Sequence, residues 1–260
     1  MANILFAHAD LSDAASLSAT SVNTAYPLIN LQDMQPSVVY RSVNTSALDI
    51  DVDLGALTDV DFFALVNCNF TLAASVRVRT ATTQANLTAS PNYDSGAVAF
   101  TAPLAYANRG FYNKRAAAVN ARWVRFSVAD VANPAGYLQI GRLIVARAFV
   151  PARNYNFGGG LGFVDATEIS ETLGGQLYVN ARPRRKTMEF EIAHNASDSW
   201  VALNNDRARG LAKEWLIIQD TDDAANIHDR SIYGLMRELA PIVHTARNFY
   251  TKRYKIEEML

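Results

Sequence analysis

Asp49, Asp51 and Asp53 are the first residues whose spacing could do chemistry. They alternate with Leu48, Ile50, Val52 and Leu54, a period of two that sets three carboxylates on one face of a strand. At a rise of about 3.4 Å per residue, neighbouring carboxylates stand about 7 Å apart. Such a row needs water, a cation or arginines opposite. Arg77, Arg79, Arg122 and Arg125 fall in neighbouring strand-like segments, so the pattern predicts cross-strand ion pairs in preference to a metal site.

Other clusters are read the same way. Asp220, Asp222, Asp223 and Asp229 form the densest acidic run, but a calcium loop starting at Asp220 would need Gly and Glu where Ala225 and Ser231 stand, so a solvated loop is expected. His8, His194, His228 and His244 lie far apart without a zinc-binding spacing. Gly158-Gly-Gly-Leu-Gly162 lacks the Lys-Ser/Thr of a phosphate loop. Cys68, the single cysteine, sits in an apolar run and reads as a small buried hydrophobe. No nucleophile elbow or thiol–histidine pair is evident. The expectation is a protein that is not an enzyme and carries no cofactor and no metal.

Arg182, Arg184, Arg185 and Lys186 make the one dense basic cluster. Four cations within five residues repel unless acids face them, so Asp220, Asp222 and Asp223 of an adjacent copy are expected opposite, as a subunit interface. The wider balance is even. Net charge is −1, with ten Lys and Arg against ten Asp up to position 150 and fourteen against fifteen acids beyond it. No basic half exists to hold phosphates, so nucleic acid is not expected as a partner. The sequence shows no Arg/Lys-led apolar segment at its start and no run of about 18 apolar residues, so export by a signal peptide and a membrane span are not expected.

The elements that must position these residues read mainly as β. Asn3–Ala7, Leu48–Leu54 (ended by Gly55), Asp61–Asn67, Ser75–Thr80, the segment holding Trp123, Phe126 and Val128, and Tyr137–Ala148 are expected strands. Short strands joined by Asn, Gly, Pro and Ser turns, without intervening amphipathic helices, argue for an antiparallel sandwich over residues 1–150. A glycine-rich linker is expected over 151–162. A smaller β-domain then covers 163–260, with strands at Thr167–Glu171, Gly175–Asn180, Lys186–His194, Glu214–Gln219 and Phe249–Glu258. Its one short helix is expected to be capped by Ser197 or Asp198, with Trp200, Leu203 and Leu211 facing a core. Ile232–Val243 is open between strand and helix.

Five pieces in order carry a resemblance: Asn30-Leu31-Gln32-Asp33, Tyr40-Arg41-Ser42, Asp53-Leu54-Gly55, Trp123-Val124-Arg125 and Ile140-Gly141. Over about residues 20–148 the chain resembles a discoidin (coagulation factor 5/8 type C-like) domain, which implies a galactose-binding-like jelly roll. Tyr40 stands where that family often has Trp, and the disulfide cysteines of many extracellular members are absent. Over about 160–260, the basic run, the Trp-bearing helix, Trp215-Leu-Ile-Ile, Ile232-Tyr233-Gly234 and the closing Lys255-Ile-Glu-Glu are similar to small β-domains of tailed-phage tail-tip proteins. That resemblance implies a distal-tail-like structural component of a virion tail tip or baseplate, folded in the host cytoplasm. It implies a hexameric or trimeric ring of copies that docks tail-tube and baseplate proteins. The alternative is a carbohydrate-binding module attaching to a host-surface glycan, with Tyr93, Tyr106, Phe111 and Tyr112 in loops that contact sugar.

Overall fold

A computed structural model describes residues 2–101 and 109–260. The chain forms two compact units: the stretch up to Val150 together with Trp215–Ser231 and Leu260, and Pro151–Glu214 together with Ile232–Met259. Both are mainly β-structure, as the alternating pattern predicts, and no helix among the described residues is long and apolar enough to cross a membrane.

The first unit contains β1 (Leu5–Ala7), β2 (Ser16–Ala19), β3 (Tyr40–Arg41), β4 (Leu48–Val66), β5 (Ser75–Ala81), β6 (Tyr93–Asp94), β7 (Val98–Ala99), β8 (Phe111–Ala129), β9 (Gln139–Ile140) and β10 (Arg142–Ala146). Two long strands organise it. Leu48–Asp53 of β4 runs antiparallel to Trp123–Val128 of β8, with β2 on the free edge of β4 and β5 on the free edge of β8. β6 and β7 then pair with β5. Farther along, Phe62–Leu65 pairs with Phe111–Lys114, and β10 lies on the other edge of β4. The same two strands thus belong to both layers of a sandwich. Phe63 of one layer meets the ring of Phe126 edge-on at 6.4 Å and stacks on Tyr93 at 5.9 Å.

Inward positions follow the period of two. Ile50, Val52, Val76, Val78, Val124 and Phe126 come from one layer, and Phe63, Leu65, Phe111, Leu143 and Val145 from the other, in a single buried core that also takes Cys68. Each such apolar side chain contributes about 1.5–3 kcal/mol on burial. The short pair β3–β9 joins Tyr40 to Ile140. Beside it Gly141 is obligatory, because a Cβ there would stand 2.3 Å from the Pro36 carbonyl oxygen. This is the antiparallel jelly-roll sandwich that the discoidin-like resemblance implies.

Two expectations are corrected here. Gly55 does not end its strand: it sits at φ +77° within a bulge, and β4 continues to Val66. Trp215–Ser231 belongs to the first unit rather than to a C-terminal domain. Every residue of Trp215–Ile218 is buried, and a strand apolar on both faces must be covered on both. It pairs antiparallel with β1, Leu5 opposite Ile218.

After β10 come β11 (Gly160–Val164), β12 (Glu168–Glu171), β13 (Leu177–Asn180), β14 (Arg185–Asn195), β15 (Trp215–Ile218), β16 (Ser231–Met236), β17 (Val243–Ala246) and β18 (Phe249–Glu258). In the second unit β14 pairs with β18 over nine residues and with β11 on its other edge, while β16 and β17 pair with β18. Met188, Phe190 and Ile192 alternate inward and meet Tyr254 and Ile256. Gly160–Gly162, expected within the linker, is therefore part of a sheet strand. The ambiguous segment from Ile232 begins as a strand.

The helix Ala196–Arg209 is capped by Asn195, whose side chain accepts from the Asp198 amide, instead of by Ser197 or Asp198. Trp200, Leu203 and Leu211 are exposed, against expectation; Ser199, Ala202 and Arg209 are the helix residues that are buried. The pattern placed the large apolar side chains inward, but the helix buries Ser199, Ala202 and the long Arg209 instead. Beneath it, Lys252 is buried, donates to Asp206 and lies 4.7 Å over the Tyr254 ring. The Tyr254 hydroxyl is 2.9 Å from His194 Nε2, and burial pushes the His194 imidazole down to about 4.

Candidate functional site

The register of β4 against β8 breaks twice, and the second break builds a cleft. Val60 opposes Val119, whereas Phe62 opposes Lys114. One residue, Asp61, is thereby set against the excursion Arg115-Ala-Ala-Ala118. A bulge of this kind re-aims side chains that a regular ladder would space evenly.

Asp61 is turned toward cations. Its carboxylate is 8% exposed. One oxygen accepts from Lys114 Nζ at 2.8 Å and the other from the Ala148 amide at 2.7 Å. Arg147 Nε lies 3.7 Å away, outside hydrogen-bonding reach. Lys114 Nζ also donates to the Arg115 carbonyl at 2.8 Å, and the Arg115 guanidinium stands 4.6 Å over the Tyr93 ring. These groups line a cleft of about 590 Å³ whose other walls include Leu5, Phe62, Ile218, Asn3, Tyr112 and Asp222. The volume suits a small ligand. Polar groups converge over an apolar floor, with three cations facing two carboxylates. The arrangement can hold hydroxyls and an anion; both Asp61 oxygens are already engaged by donors. Among the described residues no group of three His, Cys, Asp or Glu side chains is placed to hold a metal ion.

The aspartate row forms the ion-pair ladder that its spacing predicts. Arg122 clamps Asp53 through two hydrogen bonds of 2.7 and 2.8 Å, and Arg125 clamps Asp51 at 2.5 and 2.7 Å. Asp49 accepts from Ser127 Oγ at 2.5 Å and lies 3.9 Å from Arg125. Hydrogen bonding from Arg122 lowers the Asp53 carboxyl below its usual range. Arg77 pairs with Asp94 instead, and Arg79 donates to Ser127.

The three aromatic candidates among the described residues are not loop residues that share a site. Tyr93 is in β6, stacked on Phe63, with its hydroxyl on Asn113 at 2.8 Å. Phe111 opens β8 and is buried in the core. Tyr112 lines the cleft. Tyr106 lies outside the described residues. In the basic run, Arg182 pairs with Glu168 at 2.7 Å, Arg184 with Asp165 at 3.1 Å and Arg185 with Glu257 at 2.7 Å, while Lys186 is buried. Asp220 and Asp223 both face Arg230, at 3.6 and 3.1 Å, and the Asp222 amide is bound by Asp220. The repulsion that suggested acids from another copy is thus met within each unit.

Asp61, Lys114 and Arg147 were not singled out from the sequence. The available signal was one aspartate opening the apolar run Phe62–Val66, which must bury its charge beside cations.

No family model matches the chain, and no curated protein sequence matches it significantly. Among solved structures, a chitosan-binding module of a chitosanase/glucanase from Paenibacillus sp. IK-5 is similar at 15% identity and a TM-score of 0.39, covering 54% of this chain and 100% of the module. A fucose-binding module from Streptococcus pneumoniae gives 14% identity and 0.40, with coverage of 54% and 96%. The family 32 carbohydrate-binding module of NanJ from C. perfringens, in complex with galactose, gives 13% and 0.42, with coverage of 55% and 99%. At these values, ligands and residue roles have to come from this chain's own geometry.

Proposed function

We propose that this protein is a non-catalytic carbohydrate-binding protein whose sandwich unit takes a saccharide in the Asp61 cleft. The observation that carries the reading is the convergence there of Asp61, Lys114, Arg147, Asn3 and Tyr112 over the apolar floor of Leu5, Phe62 and Ile218. A sugar presents both a ring of hydroxyls and an apolar C–H face, and this lining offers partners for each. The test is a glycan array probed with the full chain. A specific hit lost on Tyr112→Ala supports the reading, and an array without a hit removes it.

A second reading rests on the hairpin β12–β13, which supports assembly. Among the described residues these strands pair only with each other, and all their residues are exposed. Ile169, Leu177 and Val179 share one face, at 66%, 69% and 56% exposure. A lone two-stranded hairpin is marginal in water, and an open apolar edge invites another chain. In this reading the second unit anchors the protein in a ring of its own copies at a phage tail tip or baseplate. There it meets tail-tube and baseplate proteins, after folding in the host cytoplasm. Light scattering on the purified chain should give a multiple of the 28.5 kDa protomer mass, reduced by Ile169→Asp with Val179→Asp. A monomer at all concentrations would exclude self-assembly.

A further inference from the structure

We propose that the Asp61 cleft selects a sugar bearing an anionic substituent, a carboxylate or a sulfate ester, through Arg115 and Arg147. This rests on the carbohydrate-binding reading and adds to it the charge of the ligand.

The argument is a count of partners. Asp61 is the buried acid of the cleft, and its two oxygens are taken by Lys114 and by the Ala148 amide. Lys114 is in turn committed to Asp61 and to the Arg115 carbonyl. Arg147 therefore meets Asp61 only at 3.7 Å, and its side chain is 56% exposed at the cleft wall. Arg115 places its guanidinium carbon 4.6 Å from the centre of the Tyr93 ring, and among the described residues no carboxylate pairs with it. Asp222 offsets one positive charge, which leaves the lining net cationic.

The contrast with the rest of the sandwich is informative. Arg77, Arg122 and Arg125 each bond a carboxylate of this chain, and Arg41, Arg79 and Arg109 each bond a neutral oxygen, whereas among the described residues neither guanidinium at this bulge has a hydrogen-bond acceptor. A guanidinium presents a planar fork that matches a carboxylate or sulfate through paired hydrogen bonds. Contact with Tyr93 restrains one fork before any ligand arrives, which lowers the ordering cost of binding. Register explains why they flank the same place. Ala146 and Lys114 both oppose Phe62, on its two sides, so Arg147 and Arg115 follow on opposite sides of Asp61.

The test uses the full chain on an array of matched oligosaccharides: neutral members and their uronic-acid, sialylated and sulfated counterparts. Acidic members should bind at least about tenfold more tightly, equivalent to about 1.4 kcal/mol. The preference should shrink between about 0.05 and 0.5 M salt. Arg147→Gln and Arg115→Gln should each remove most of the preference, lowering acidic-sugar binding far more than neutral-sugar binding, with the circular dichroism spectrum unchanged. Arg147→Lys, which keeps the charge without the fork, should restore part of it. Whether carboxylated or sulfated members lead identifies the anion. Equal binding of neutral and acidic sugars would overturn the charge inference and leave the carbohydrate reading standing. An array without any hit would remove both.

Discussion

Asp51 and Asp61 lie on the same strand and are buried to the same degree, each carboxylate 8% exposed, but their surroundings differ in kind. Asp51 is closed off by the two-pronged contact of Arg125, itself only 18% exposed, and by the Gln84 amide at 3.2 Å. Asp61 is held by an ammonium, a backbone amide and a peripheral guanidinium at the rim of a cleft. A regular ladder puts one acid opposite one arginine and uses up both. A bulge brings several cations to one acid and leaves cationic capacity over. The first arrangement holds two strands together, and the second is the kind of place a ligand can occupy.

The largest expected effect is on the closed pair. Asp51→Asn takes the carboxylate from the half-buried Arg125 and should cost about 2–3 kcal/mol, read by urea denaturation at neutral pH. If Asp61→Asn costs more, the contrast fails. Acid pH brings in a third buried group and must be separated from the two aspartates. His194 is held neutral in the fold, with its value pushed down from 6.5 to about 4, so the unfolded chain binds the extra proton between those values. Stability is full above about 6.5 and should fall by on the order of 3 kcal/mol as pH drops toward about 4. His194→Gln should flatten that limb. In this background the contribution of Asp53, whose carboxyl is lowered by Arg122, is present above its unfolded value of 3.8 and should vanish only as pH falls through its lower folded value.

Asp61→Asn comes next. The amide oxygen still accepts from the Ala148 amide, and Lys114 reaches water, so a loss of about 1–2 kcal/mol is expected. Thermal melts of this variant beside Asp51→Asn sharpen the comparison directly. Smallest of all, Arg147→Ala should change stability by no more than about 0.5 kcal/mol, since it removes an exposed cation from a long contact. A larger loss would mean that Arg147 is part of the ladder logic after all.

Much of the framework was legible because it follows from alternation. Ile50, Val52, Val76, Val78, Met188, Phe190 and Ile192 point inward where a period of two puts them, and Asp51 and Asp53 meet arginines from the adjacent strand. The misreadings occur where the chain departs from a local rule. Gly55 carries a turn-like angle inside a continuing strand, because the bulge absorbs the residues that a turn would have used. Trp200 and Leu203 are apolar yet exposed, because which side of a short helix faces a sheet depends on the sheet. The cleft was legible least of all: Asp61, Lys114 and Arg147 are far apart in sequence, and Arg115 reads as an ordinary charged residue before an alanine run.

The sequence by itself determined that the chain would be built of strands, where its inward faces lie, and that the aspartate row would need arginines, because side-chain alternation and charge repulsion act between residues close along the chain. Only the tertiary structure decided that Trp215–Ser231 returns to the first unit, and that four residues of one strand face a single aspartate of another. Pairing register and layer contact are long-range quantities. They are set by which apolar faces can cover one another, and no local pattern encodes them.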